Sequence, residues 1–332
     1  MSILVTGATG FVMANLVRHL AANGHGVVAA DRVPPDDLLR RFVSGLPGAV
    51  EFVSVDVTDR AAVRRMIDAA RPERVVHGAA ITSVPPDAER ARFVETVDVN
   101  VVGTLHVLDA LREAGTGRIV PGRIVPGRIV VVSSGSVYGS RDHLRSITED
   151  DDKQPVGVYP WSKWAGESFA RRFADVHGLD VAVTRLASPF GPLERDTGSR
   201  PLLSPLAYWA LAALRGQPIR VAGPKAFLRD AVYAEDIASG ITAVLTAHRL
   251  PHQIYNVGWG RSTSSEDAVA ALTRLVPNVK VDWAPNETSP WGYTVRGALE
   301  VARLRELGWS PRYDLYSGLR AYIDWIRKEK LA

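Results

Sequence analysis

The sequence predicts an α/β fold built on a doubly wound parallel sheet, followed by a smaller C-terminal α/β region. Three observations carry this. Short β-branched runs alternate with amphipathic stretches through the first half, the runs are apolar on both faces, and a glycine-containing loop joins the first run to the first amphipathic stretch. Runs at 3–5, 26–30, 50–55, 75–76, 129–132 and 180–184 read as strands. Between them, 13–23, 60–70 and 96–114 read as helices, and right-handed crossovers would place helices on both faces of the sheet. After about residue 190 the rhythm loosens into Pro- and Gly-rich loops, a helix over 204–215 and an amphipathic helix over 315–328. Residues 1–190 are therefore expected to form the sheet domain, with 231–260 returning to it. Residues 191–230 and 261–332 would form a smaller substrate-binding domain over the carboxyl edge of the sheet, where ligands of open α/β sheets sit.

Composition narrows the function classes. The chain of 332 residues is 46% hydrophobic, enough for a large buried core. Its net charge is +4, and the basic residues are spread along the chain rather than gathered into a stripe, so nucleic acid is not expected as a partner. There is no cysteine, which removes disulfides, thiolate metal sites and a Cys nucleophile, and points to a reducing, cytoplasmic location. Of the eight histidines only His248 and His252 have ligand-like spacing, and Pro251 interrupts it, so no metal site is expected. No apolar run approaches the roughly 18 residues that span a bilayer, and the chain opens directly on a strand. Neither a membrane span nor a signal segment is expected.

One segment repeats: Gly117-Arg-Ile-Val-Pro121, Gly122-Arg-Ile-Val-Pro126 and Gly127-Arg-Ile-Val130. Prolines at this spacing cannot sit inside a central strand, so only the last copy should enter the sheet, the first two forming a loop without a role in chemistry.

The first strand runs into Thr6-Gly7-Ala8-Thr9-Gly10-Phe11-Val12-Met13. Gly7 permits a tight turn, Gly10 lets a pyrophosphate approach the backbone, and the following helix N-terminus offers unpaired N–H groups to it. Met13 stands where a third glycine would allow close helix–strand packing. Asp31, at the end of the second strand, suits the adenosine ribose hydroxyls of NAD and would repel a 2′-phosphate; Arg32 beside it would favour one. NAD is the expected cofactor, ahead of NADP. Further on, Tyr159-Pro-Trp-Ser-Lys163 puts a tyrosine and a lysine on one face of a helix start, where an ammonium can stabilise a phenolate for proton exchange with an alcohol or carbonyl. Ser133-Ser134-Gly135-Ser136-Val137-Tyr138-Gly139 follows the strand at 129–132 and offers hydroxyls for a substrate oxygen.

In these motifs the chain resembles the extended short-chain dehydrogenase/reductase family, which includes NAD-dependent nucleotide-sugar epimerases and dehydratases. The resemblance runs through Asp56-Val57, His77-Gly-Ala-Ala80, Val99-Asn100, Gly103-Thr104, Tyr159 to Glu167, Arg185, Phe190-Gly191-Pro192, Arg229-Asp230, Tyr255-Asn256-Val257-Gly258 and Leu307-Gly308-Trp309. It implies a Rossmann-type NAD domain. Tyr159 would be the acid/base, Lys163 would hold the nicotinamide ribose and tune Tyr159, and Ser134 would orient the substrate oxygen. Asp56 and Val57 would meet the adenine, Ala79 and Ala80 the diphosphate and ribose, and Asn100 would sit behind the nicotinamide. Thr9, Phe11, Val12, Ser133 and Ser188 complete the expected cofactor contacts, and Thr82, Ser134, Ser136 and Ser188 face the substrate.

The acidic pair that dehydratases of this family carry after the Ser134 position is here Gly135 and Ser136, so dehydration is not expected. For a nucleotide diphosphate the family offers two arginines. Arg229 stands for one; the stretch for the other reads Thr288-Ser289-Pro290-Trp291, and Arg296 comes several residues late. Arg195 and Arg200 either compensate, or bind the carboxylate of a smaller acidic sugar, or belong to a solvated loop. Trp161 is a candidate lid over a sugar ring, and Trp309 and Trp325 read as core. The expected activity is oxidation of a sugar hydroxyl through a keto intermediate, foremost a nucleotide-sugar 4-epimerase. A dehydrogenase or reductase of a free sugar or sugar acid and a non-catalytic dinucleotide-binding protein are the rivals. The resemblance also implies a homodimer through helices over 99–114 and 162–177.

Overall fold

The computed structural model describes residues 1–82, 86–115, 127–140, 145–223, 229–289, 291 and 296–332. Its strands are β1 (Ser2–Thr6), β2 (Gly26–Asp31), β3 (Val50–Ser54), β4 (Arg74–His77), β5 (Ile129–Ser134), β6 (Val181–Leu186), β7 (Ser188–Phe190), β8 (Ile219–Ala222), β9 (Ala231–Tyr233), β10 (Ile254–Val257) and β11 (Val281–Ala284). One seven-stranded parallel sheet has the order β10-β6-β5-β4-β1-β2-β3. The order reverses between β1 and β4, so the loops leaving these strands diverge and open a crevice at the carboxyl edge. The pairs β7–β9 and β8–β11 form two small parallel ladders beside it.

The helices are α1 (Phe11–Ala22), α2 (Asp37–Val43), α3 (Arg60–Ala70), α4 (Pro86–Ala91), α5 (Phe93–Val97), α6 (Gly103–Glu113), α7 (Val158–His177), α8 (Pro205–Leu214), α9 (Ala234–Thr246), α10 (Ser265–Leu275), α11 (Ala302–Arg305) and α12 (Leu315–Glu329). On one face of the sheet α1 and α9 pack together over Val5, Val76 and Val130; on the other, α3, α6 and α7 cover Leu4, Val75 and Val131. A third core joins α8, α10 and α12 to β8 and β9. No helix among the described residues is long and apolar enough to cross a membrane.

Three local features differ from, or refine, what the pattern predicts. The helix expected over 96–114 begins earlier, as α5, and carries a wide π turn at Asp98–Val102 before α6. Such bulges are frequent at functional sites, and this one is centred on Asn100. Met13 does not hold α1 away from the sheet, because its side chain is received by another glycine: a Cβ on Gly78 would fall 2.3 Å from Met13 Sδ. The space that a third glycine would supply on the helix is thus supplied at the end of β4. Of the repeat, the first two copies lie outside the described residues, while the third, at 127–130, enters β5. Its Arg128 is buried at the amino edge of the sheet, opposite the crevice. There it pairs with Asp180 (3.0 Å) and donates to the carbonyls of Val244 and Ala247 at the end of α9, where cations are favoured.

Candidate active site

The crevice is a cleft of about 810 Å³. At one end the Gly7–Gly10 loop turns over β1. Gly7 has φ +73°, and a Cβ there would lie 2.7 Å from the Ala79 backbone, so only glycine fits. No side chain caps the start of α1, which leaves its first amides aimed into the cleft. The Asp31 carboxylate closes this end and is oriented by the N–H groups of Thr9 (3.0 Å) and Val33 (3.1 Å). Arg32 leans toward Glu95, 3.6 Å away. These features fit a dinucleotide: a pyrophosphate cradle, a carboxylate for ribose hydroxyls, and the buried Ser133 Oγ and Ser136 Oγ, which have no hydrogen-bond partner among the described residues.

At the other end α7 presents Tyr159 and Lys163. The Ser134 Oγ accepts the Ser136 N–H (3.1 Å), which leaves its own proton for the bond it makes with the Tyr159 phenol. Burial pushes the Tyr159 phenol up, while the Ser134 hydroxyl and the guanidiniums of Arg200 and Arg296 draw it back. Burial brings the Lys163 ammonium down to about 8, opposed by Glu167, so it is charged at neutral pH. One turn further along α7 than Tyr159, its charge also acts on His77 and Glu167.

Behind these groups lies a fully satisfied polar chain. Asn100 accepts from Ile81 N–H (2.8 Å) and donates to Ile81 O (2.9 Å) and Ser162 Oγ (2.8 Å). Ser162 Oγ in turn donates to Tyr159 O (2.8 Å). Thr104 Oγ1 donates to Asn100 O (2.7 Å), so its remaining contact with His77 Nε2 (3.0 Å) is a bond it accepts. His77 Nδ1 then accepts from Thr6 Oγ1 (2.8 Å), which fixes the neutral Nε2–H tautomer. Burial, with Lys163 nearby, brings the His77 pKa down to about 3.

The structure gathers most of the expected residues. Gly7, Thr9, Gly10, Phe11, Val12, Asp31, Arg32, Asp56, Val57, Ala79, Ala80, Ser133, Tyr159, Lys163 and Ser188 line the cleft, as do Thr82, Ser134, Ser136, Arg195, Arg200 and Arg229. Asn100 does not; it is buried behind the wall and positions Ile81 and Ser162. Trp161 is also outside, because two residues past Tyr159 is roughly 200° around a helix. Its indole is half exposed and packs on Trp164, with centroids 5.1 Å apart, so it is no lid over the cleft. Arg195 turns to Asp36 (2.6 Å), at the mouth of the cleft beside the β2 end. Two residues given no site role by motif spacing are here, Arg296 as too late in the chain and Asp230 as part of a matching motif only. Arg296 lines the cleft despite its late position, and Asp230 is a buried carboxyl in the same wall. Arg296 is the single arginine between Arg274 and Arg303, the one signal that marks it.

Fold and site together give a Rossmann-type α/β chain whose cleft is lined by the Gly7–Gly10 loop, Asp31, Ser134, Tyr159 and Lys163. Residues 3–258 match the model of the NAD dependent epimerase/dehydratase family. The chain belongs to this family, and its cofactor is NAD. It is 30% identical over 97% of its length to a dTDP-glucose 4,6-dehydratase of Xanthomonas campestris, covering 92% of that protein. It is 29% identical to a UDP-glucose 4-epimerase of Mycolicibacterium smegmatis, covering 99% of each. A Thermus thermophilus UDP-glucose 4-epimerase solved in complex with NAD superposes with a TM-score of 0.81 at 27% identity, over 98% of this chain and 99% of that one.

The His77 chain makes a prediction about pH. The folded pKa of about 3 lies below the ordinary histidine value of 6.5, so between these values the unfolded chain binds a proton that the folded chain refuses. This contribution to stability is complete above pH 6.5 and is lost progressively as pH falls toward 3. Nitrogen NMR of the imidazole is expected to show the neutral Nε2–H form from about pH 7 to about pH 4; a ring that titrates near 6.5 contradicts the network.

Proposed function

We propose that the protein is an NAD-dependent 4-epimerase of a nucleotide sugar, working through Ser134, Tyr159 and Lys163. The observation that carries this reading is the Tyr159 phenol, bonded to a Ser134 hydroxyl that the backbone has already oriented, in the same cleft as the glycine loop. A substrate hydroxyl placed against Tyr159 and Ser134 gives its proton to the Tyr159 phenolate, the form that the Ser134 hydroxyl and the nearby cations favour against burial, as the carbon loses hydride. NAD, when bound, supplies the hydride acceptor and returns the hydride. Ser134 donates a hydrogen bond to the carbonyl oxygen of the keto sugar, and Tyr159 returns the proton when the alcohol re-forms on the other face. Lys163 keeps a positive charge beside this end of the cleft and is placed to hold the nicotinamide ribose. Asp31 would take the adenosine ribose.

Support for epimerisation over dehydration comes from the loop after Ser134. The dehydratases this chain resembles carry an acidic pair where it has Gly135 and Ser136, and a Cβ at Gly135 would sit tightly, 3.1 Å from Leu299 Cδ1 and 3.2 Å from Leu186 O. A dehydrogenase of a free sugar acid is the second reading, favoured by the arginines of the cleft. Tyr159→Phe should lower turnover of a nucleotide hexose by at least about 100-fold, the usual scale of a lost acid/base, while NAD binding is kept. Unchanged turnover removes both enzyme readings.

Outside the cleft, Trp161, Phe169 and Val176 form an exposed stripe along α7, with Phe93, Val94 and Val102 exposed on the neighbouring α5 to α6 segment. We infer that two copies pair through this face. Light scattering should give the dimer mass, and a monomer contradicts the pairing.

A further inference from the structure

The loop that joins β7 to α8 is tied down at both roots in the interior. Buried Asn15 of α1 donates to the Pro192 carbonyl at 2.8 Å. The buried Glu194 carboxylate accepts from the N–H (2.7 Å) and the hydroxyl (2.9 Å) of Ser204 at the other root, and from Arg200 (2.7 Å) within the loop. A loop of about ten residues whose ends are held together in this way is an Ω-loop, a shape that frequently carries function.

Between its roots the loop crosses the crevice. On one rim Arg195 pairs at 2.6 Å with Asp36, the cap of α2, which follows β2. On the other rim Ser199 O accepts from Thr82 N–H (3.0 Å) and Thr82 Oγ1 (3.1 Å), and Gly198 O accepts from Arg92 (2.6 Å), both partners in the segment that follows β4. Midway, Arg200 lies over the ring of Phe11, the first residue of α1, 5.2 Å from its centroid. Strands β4, β1 and β2 are successive neighbours in the sheet, and the order reverses between β4 and β1. Residues 195–200 therefore bridge the opening at the point where α/β sheets receive their ligands, across the loops of Gly7–Gly10 and Asp31 that fit a pyrophosphate and an adenosine ribose.

The roots and the rim bonds differ in kind. The roots are buried, whereas the Arg195 and Asp36 side chains are 31% and 51% exposed, and Gly198, at φ +73°, would have nothing within 4 Å of a Cβ. A segment with firm roots and a tip held by a few solvent-exposed bonds opens locally while the rest of the fold stays closed. We propose that residues 195–200 form a strap over the dinucleotide, latched by Arg195 on one rim and by Arg92 on the other, which has to unlatch before the cofactor enters or leaves. The strap sets how long the nucleotide stays in the cleft. It concerns the cofactor end alone and is independent of which sugar reaction follows.

NADH fluorescence tests this in both directions with no sugar present: mixing with nucleotide-free protein gives the entry rate, and displacement by excess NAD gives the release rate. Arg195→Ala and Arg92→Ala are each expected to raise both rates by about 2- to 5-fold, and the double variant by about 10-fold, since exposed charged pairs on opposite rims act weakly and independently. Affinity stays nearly unchanged, and Arg195→Lys stays close to the wild type. Acceleration in both directions is the mark of a strap, because loss of an ordinary contact with the nucleotide speeds release alone. Faster release with unchanged entry therefore overturns the proposal, as do wild-type rates in both single variants. The two latches lie on separate segments, so a variant that fails to fold leaves the other to decide. A failure here leaves the epimerase reading untouched, and loss of that reading through Tyr159→Phe leaves the strap untouched.

Discussion

Helix α7 carries both Tyr159 and Lys163, and the chemistry depends on how its buried face is fixed. Near its start, Asn100 grips Ser162, whose hydroxyl bonds back to the Tyr159 carbonyl. Further along, Glu167 makes two bonds to Arg185 of β6, at 2.6 and 3.1 Å, and both side chains are about 1% exposed. A buried pair of this kind is costly to break on one side, of order 3–5 kcal/mol, so α7 cannot slide without losing it. Arg185 also donates to the Tyr138 hydroxyl and to Glu149 O, and Tyr138 donates to Asn256 of β10. The edge of the sheet, the Ser134 loop and α7 are thereby one rigid unit.

A consequence of this rigidity is a division of charge. The lysine lies beside a neutral histidine and the glutamate that anchors the helix, while the guanidiniums of Arg200 and Arg296 enter the same cleft from loops beyond the sheet. Elements that fix geometry are separate from elements that set the polarity of the substrate end. Loops on a fixed scaffold are where substrate choice can vary without disturbing the catalytic groups.

Much of the fold was legible because period and position carry it. Strands apolar on both faces, the turn at Gly7, Asp31 ending β2 and the Tyr159–Lys163 spacing are all local signals. Contacts between distant segments were not legible. Nothing local shows that Gly78 makes room for Met13, that α5 and α6 are joined by a wide turn around Asn100, or that Arg296 reaches the cleft from its own place in the chain. Trp161 misled for a related reason: proximity in sequence to Tyr159 places it on the opposite side of the helix.

The central claim is that hydride leaves a sugar carbon and returns to it within one closed site. It is tested most directly by supplying a nucleotide sugar carrying deuterium on the carbon to be oxidised and analysing the product by mass spectrometry and NMR. The account predicts an epimer that keeps its deuterium on that carbon, with none released to water. Deuterium lost to solvent would contradict it, because the inversion would then proceed by removal of a proton rather than by transfer of a hydride.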